Sequence, residues 1–554
     1  MNRYNLRWWG WGTLDQTYDL SERPGFWPFL SEELGLTGEE RGPQADPDHI
    51  TLPASRLSPD DLDALTAIVG AEHLSTEHKA RVTHAVGKSY PDLMRLRLGL
   101  LEHAPDAVVW PESEEEIAAL LALAVRRHWS VVPYGGGSSV TGGLATLGEW
   151  PAISLDLARL NQVLAVDPVS HTVTAQAGIL GPALEQALNV EGFTLGHFPQ
   201  SFEFSTLGGW IATRAAGQQS IRYGKIEDLV QWLRMVTPQG LIETRHVPAS
   251  AAGPSLKEML VGSEGAFGVI TQATMRLRPL PTLRDYRGLL FRSFADGVAA
   301  IRAMMQSERP PALARLSDVA ETRAYQALSP ARHSRAARLT RAIGTRLMKR
   351  RGIELHGACL MILGGEGDEQ SVPEDMDAAL TACAVQGAFH LGGSPGEAWY
   401  AERFALPYLR DILLDHGVLV DTLETATTWD NLLPLYGAVR QAIADAIAAE
   451  GVAPLVMCHV SHAYTDGASL YYTFLARQVA GREIAQWELI KRRATEAIMQ
   501  HGGTLSHHHG VGCDHRPWLE REHGPLGVAA LRALKHTFDP YGVLNPGKLL
   551  EQGL

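Results

Sequence analysis

The chain has 554 residues, of which 45% are hydrophobic and 20% charged, with a formal net charge of -13. These values describe a globular chain with ample core and several domains, and the negative balance argues against nucleic acid as its main partner. No apolar run is long enough to span a membrane, and Cys359, Cys383, Cys458 and Cys513 are scattered without Cys-x-x-Cys spacing, so a reduced, intracellular protein is expected.

Residues 1–50 are rich in Trp, Gly and Pro and read as irregular structure, with Trp8, Trp9 and Trp11 packing on the body. Apolar residues recur at helical spacing over 58–74 and 113–128. From Val131 to about Pro279 short strands are broken by Gly and Pro: 152–155, 172–175, 234–237 and 268–271, with a helix over 181–188. Longer helices follow at 297–306, 432–450 and 478–500, with strands at 359–363 and 455–459. A short strand and loop after 503 lead to a helix over 526–538. The pattern predicts an α+β chain with two main domains.

Three segments of small residues stand out. The first is Pro133-Tyr134-Gly135-Gly136-Gly137-Ser138-Ser139, continuing to Gly143. Three successive glycines let main-chain N–H groups approach an anion, and serine hydroxyls add donors, as a pyrophosphate requires. A Gly-rich surface turn is the alternative. Neither a P-loop nor a Rossmann turn fits, because no Gly-Lys-Ser/Thr and no helical run follows. The others are 205–217 and 262–270. Three such segments in one domain favour an extended ligand such as a dinucleotide.

The run Ser506-His507-His508-His509-Gly510 suits acid–base work near neutral pH, the alternative being a loop of solvated or core-satisfied histidines. As a strand, 504–509 would put His507 and His509 on one face and His508 on the other, which disfavours a shared metal ion. In the strand-like run 467–474, Tyr471 and Thr473 face one way, Tyr472 and Phe474 the other. Arg315 and Arg410 stand in apolar contexts; each either pairs with an acid, with Asp318 and Asp411 as candidates, or holds an anionic ligand. Segment 331–351 carries eight Arg or Lys and no acid. It reads either as an amphipathic helix meeting anionic lipid or as a basic loop.

The glycine string, Phe204-Ser205-Thr206-Leu207-Gly208-Gly209-Trp210, Tyr223-Gly224-Lys225-Ile226-Glu227-Asp228, Gly262-Ser263-Glu264-Gly265, the His run and the opening Trp9-Gly10-Trp11-Gly12 together resemble the alkyldihydroxyacetonephosphate synthase family. That family sits in the flavoprotein superfamily of vanillyl-alcohol oxidase and p-cresol methylhydroxylase. The resemblance implies a two-lobed PCMH-type FAD-binding domain with an α+β cap domain. The expected boundaries are 1–100 for an N-terminal segment, 101–285 for the FAD domain, 286–490 for the cap and 491–554 for a C-terminal segment completing the site. The implied cofactor is FAD, held non-covalently, since no His or Cys lies in the first loop.

By the resemblance, FAD contacts come from Pro133, Tyr134, Gly135, Gly136, Gly137, Ser138 and Ser139; from Gln200, Ser201, Phe202, Glu203, Phe204, Ser205 and Thr206; from Thr213, Arg214, Ala215 and Ala216; and from Glu264, Gly265, Ala266, Phe267, Gly268, Val269 and Ile270. Tyr471 matches the family's catalytic tyrosine, and His507, His508 and His509 its essential histidine run. Arg410 matches the arginine assigned to the substrate phosphate, and Arg315 another arginine needed for activity. No metal is expected.

The implied reaction exchanges the acyl ester of acyl-dihydroxyacetone phosphate for a long-chain fatty alcohol, leaving an ether. Tyr471, helped by the histidines, would take a proton from the carbon bearing the ester. Expected partners are those two substrates and an anionic membrane surface met through 331–351, with a homodimer left open and no nucleic acid. Gln200 departs from the family, which has an acid there, and Tyr134 replaces an aliphatic residue. No peroxisomal address is evident, so a cytoplasmic or peripheral-membrane location is expected. A flavin-dependent D-2-hydroxyacid dehydrogenase is the alternative. Its metal-binding run has a second histidine after Gly-Asp-Gly-Asn, whereas Asp466-Gly467 here leads to Tyr471, although His459 and His462 keep a metal open.

Overall fold

A computed structural model describes residues 6–46, 50–330, 348 and 352–551. The expected basic segment 331–351 therefore lies outside the described residues, Met348 excepted.

The first lobe is built on two small sheets. In one, the parallel strands Ala107–Val109, Ala152–Asp156 and Ser130–Tyr134 lie side by side, with Leu74–Ser75 antiparallel at the edge. Helix Glu114–Arg127 covers it, capped by the Ser113 hydroxyl and opened by three glutamates that suit the helix N-terminus. Its Ile117, Leu120, Leu121 and Ala124 are buried with Val131 and Ile153. The second sheet is antiparallel, in the order 163–167, 172–176, 269–276, 230–237, 240–243.

The second lobe is an antiparallel sheet with seven strands among the described residues. Their order is Phe389–Gly392, Leu283–Phe291, Cys359–Gly367, Leu313–Ser317, Leu455–Ala463, Gly467–Arg477 and Val418–Thr428. The expected domain boundary at 285/286 thus falls inside the strand Leu283–Phe291. One face of the sheet packs on helices, notably Leu432–Ala449, whose Leu432, Leu435, Val439, Ile443 and Ile447 are fully buried at helical spacing. Tyr472 and Phe474 join that core, while Tyr471, Thr473 and Leu475 line a cavity on the opposite face.

The end of the chain returns to the first lobe. Val131 N–H donates to the Val543 carbonyl, and Asn545 N–H donates to that of Val131. Helix Leu519–Phe538 turns at Gly524, which has a positive φ, and buries Leu519 and Val528 against the same core. The expected C-terminal segment therefore divides. Helix Glu483–Gln500 packs with the second lobe, and the remainder completes the first.

The amino-terminal Trp-rich segment straps onto helix Leu406–Asp415. Asp411 accepts from Trp11 N–H (2.9 Å) and pairs with Arg7 (3.3 Å) and Arg97 (4.0 Å), all buried. A Cβ on Gly10 would collide with this carboxylate. Removing one partner of a buried ion pair strands the others. Asp411→Ala is expected to destabilise the protein by about 3–5 kcal/mol, read as a lowered thermal midpoint; an unchanged midpoint would contradict this placement.

Candidate active site

A cavity of about 460 Å³ runs between the lobes. Pro133, Tyr134, Gly135, Gly136, Gly137, Ser138 and Ser139 line it, because the loop leaves the end of strand Ser130–Tyr134 and must turn sharply. A Cβ on Gly136 would overlap the Phe204 carbonyl, so only glycine fits there. Among the described residues, the main-chain N–H groups of Gly135 to Ser139 have no protein acceptor. Unpaired N–H groups on a Gly loop beside a cavity suit a pyrophosphate, which is the fit expected for a dinucleotide such as FAD.

Gln200, Ser201, Ser205, Thr206, Thr213, Ala215, Ala216, Glu264, Gly265, Gly268 and Ile270 also line the cavity. Phe202, Glu203, Phe204, Arg214, Ala266, Phe267 and Val269 do not. Phe202 stacks on Trp210 and Phe404, Phe204 meets Trp11 edge-on, and Phe267 packs against Phe538. Glu203 accepts from Tyr408, Arg214 pairs with Glu227, Ala266 is buried and accepts from Lys535, and Val269 is core. Contiguous runs were expected; the loop 133–139 lines the cavity throughout, and the other three runs only in part.

Across the cavity, the register of three strands places Glu424 opposite Tyr471, and Tyr471 opposite His459. Opposed residues share a face, so carboxylate, phenol and imidazole form a row. The Tyr471 hydroxyl donates to Thr422 (3.1 Å), its ring stacks on His459 (4.9 Å), and burial pushes it up to about 12. It is therefore a neutral phenol in the resting protein.

The histidine run is a loop, not a strand. Glu424, 1% exposed, accepts from the main-chain N–H groups of His507 (2.6 Å), His508 (3.0 Å) and His509 (2.9 Å) and from the Ser506 hydroxyl (2.7 Å). Burial opposes its ionisation, but the rings of His508, His509 and His507 and these N–H groups outweigh that and hold it well below the usual carboxylate range. Next along the chain, Glu264 accepts from Val511 and Gly512 N–H, and burial raises it to about 7. So the loop rests on one carboxyl group from each lobe.

His508 and His509 line the cavity, whereas His507 turns away to the Tyr464 hydroxyl (2.6 Å). Burial holds all three rings below the usual imidazole range, His509 at about 3, so they are neutral near pH 7. The expectation of no shared metal rested on strand geometry. In the loop, one nitrogen each from His462, His507 and His508 lie within 4.8 Å of one another.

Both arginines line the cavity, with partners that differ from those expected. Arg315 donates to Glu321 (3.0 Å) and Tyr325 (3.0 Å) and sits 3.1 Å from His459 Nδ1. Asp318 instead caps helix Val319–Ala327. Asp411 is engaged by Arg7 and Arg97, and Arg410 donates only to the Lys88 carbonyl (2.7 Å), with its buried Nε unpartnered. Among the described residues no carboxylate pairs with Arg410. A half-buried guanidinium that faces a cavity with no carboxylate in contact suits an anion.

Sequence reasoning missed Glu424, Glu321 and Asn545. Glu424 carried a signal, since an acid in the apolar strand Val418–Thr428 must be satisfied by donors. Asn545 carried none; its amide bridges the Gly143 and Glu264 carbonyls, which only the returning chain end makes visible.

Two family models match, an "FAD binding domain" over residues 105–245 and "FAD linked oxidases, C-terminal domain" over 280–549. An alkyldihydroxyacetonephosphate synthase of Dictyostelium discoideum is 37% identical over 95% of this chain and 88% of its own length. The chain belongs to the alkyldihydroxyacetonephosphate synthase family. A synthase of the same name from Trypanosoma brucei brucei is 34% identical over 93% of this chain and 83% of its own. A solved structure of an alkyldihydroxyacetonephosphate synthase superposes with a TM-score of 0.85 at 33% identity, covering 98% of both chains. A p-cresol methylhydroxylase structure, at 13% identity and a TM-score of 0.66 over 90% of this chain and 98% of its own, shares the fold. The cofactor of this synthase-family chain is FAD. Gly136→Ala is expected to lower FAD occupancy of the purified protein at least tenfold, about 1.4 kcal/mol, read from visible absorbance against protein content; full yellow colour would contradict the cradle assignment.

Proposed function

We propose that the chain exchanges the acyl group of acyl-dihydroxyacetone phosphate for a long-chain fatty alcohol, forming the ether bond of ether lipids. One observation carries this reading: a half-buried Arg410 with no carboxylate in contact, a phenol and two neutral imidazoles line the same cavity as the Gly loop that suits FAD. FAD, when bound there without a covalent link, supplies an electron-accepting ring beside the substrate carbon, and the exchange moves no net electrons.

The chain's own groups divide the remaining work. Arg410 clamps the phosphate, with its Nε and free amino group as donors. Arg315, held by Glu321, adds positive potential beside His459. His508 and His509, neutral at pH 7, take the phenolic proton of Tyr471, which then accepts the proton from the carbon bearing the ester. Tyr471 enters as a protonated phenol, positioned by Thr422, and acts as a base only after its own proton has passed to an imidazole. Much of the remaining lining is apolar, including Phe29, Leu30, Leu328, Leu413 and Leu455, which suits acyl and alkyl chains. Among the described residues no helix is long and apolar enough to cross a membrane. We place the protein in the cytoplasm, with segment 331–351 bringing the site to an anionic membrane surface that holds both greasy substrates.

Purified yellow protein incubated with palmitoyl-dihydroxyacetone phosphate and hexadecanol is expected to yield the ether product by mass spectrometry. Tyr471→Phe should lower turnover by about 10²–10⁴, and Arg410→Ala should act mainly by raising KM. No ether product, together with dye reduction by D-lactate or D-2-hydroxyglutarate, would favour the dehydrogenase instead. The imidazoles are neutral because their pKa values are depressed, so activity should persist as pH falls through about 6.5 and be lost only below that range. An acid limb centred at the ordinary imidazole value would contradict the assignment of His508 and His509.

A further inference from the structure

We propose that His462, His507 and His508 form a binding site for a divalent transition metal of the Zn²⁺ or Co²⁺ class. The inference does not depend on the reaction assigned above. One nitrogen from each ring lies within 4.8 Å of the other two, and all three residues are buried or nearly so. Three nitrogens bound to one ion at zinc–nitrogen distances of about 2.0–2.1 Å sit closer together than this, so the rings would draw in on the ion.

Two further observations point to a metal. The Nδ1 atoms of His507 and His508 are 2.9 Å apart, so a single proton lies between two lone pairs. A cation can replace that proton. Two of the three rings are already held at their outer nitrogen, as in metal sites whose ligands are oriented by hydrogen-bonding partners. Ser220 Oγ lies 2.7 Å from His462 Nδ1, which leaves Nε2 as the free atom, and Tyr464 donates to or accepts from His507 Nε2 at 2.6 Å.

Charge and donor type select the ion. Glu424 lies 3.7 Å from His508 Nδ1 and offsets the added positive charge, against the Lys225 ammonium, which donates to the His507 carbonyl. Three neutral imidazoles suit zinc, cobalt, nickel or copper, and not magnesium or calcium, which demand oxygen. Because His462 and His508 line the cavity, a fourth coordination position opens towards it. Occupancy would also take the His508 lone pair out of proton transfer.

The test is a titration of the FAD-loaded, metal-stripped protein with Co²⁺, followed by the visible d–d bands to the red of the flavin. Equilibrium dialysis with Zn²⁺ and metal analysis runs in parallel. One ion per chain is expected, lost in His462→Gln and His507→Gln and retained in His390→Ala, which alters an exposed histidine elsewhere. Tyr464→Phe should weaken binding about 10–100-fold. Equal flavin content and circular dichroism show that a variant is folded; if a Gln variant fails that check, the Tyr464→Phe shift decides. No stoichiometric ion, binding that survives both Gln substitutions, or an unchanged affinity in Tyr464→Phe overturns the proposal.

Discussion

The site depends on a single buried carboxylate. Glu424 lies on the last strand of the seven-stranded sheet and gathers three consecutive main-chain N–H groups and a hydroxyl from the loop 506–509. A buried acid left without donors is costly, and a loop with unpaired N–H groups is costly too. Each satisfies the other. The result fixes His508 and His509 beside Tyr471 through main-chain bonds rather than through their ring nitrogens.

The same economy joins the lobes. Glu264, from the first lobe, takes the next two N–H groups of that loop, and Asn545, from the end of the chain, ties the Glu264 carbonyl to Gly143. The Gly loop and the histidine loop are thus anchored to one another. The amino-terminal strap works on the opposite side: it occupies Asp411, so the adjacent Arg410 is left without a carboxylate. An ion pair between these neighbours would have silenced the arginine. The strap therefore does more than stabilise the fold.

Much of this architecture was legible in the chain. Helix 113–128, the strands near 152, 172, 234 and 268, and the helix 432–450 emerge where periodicity and turn residues agree. The Tyr471/Tyr472 alternation was readable because a strand has period two and one face is core. The histidine run was not. Its local sequence suits a strand, but Glu424, about eighty residues upstream, imposes a loop, and no local pattern encodes a partner at that distance. The acid partners of Arg315 and Arg410 were misjudged for the same reason. The nearest acids in sequence, Asp318 and Asp411, are consumed by a helix cap and by the strap. The glycine-rich segments line the cavity as regions, yet Phe202, Phe267 and Val269 turn into the core, because alternation within a segment depends on the backbone it adopts.

The claim that most of the account rests on is that the Glu424 carboxylate sets the histidine loop over Tyr471. Glu424→Gln preserves volume but places an amide N–H₂ among donors. With FAD content unchanged, ether product formation should fall roughly 100-fold, the scale of a displacement of catalytic groups by about 1 Å. The histidine signals in NMR spectra of the variant should shift together. Unchanged turnover in a fully flavin-loaded Glu424→Gln protein would contradict the account.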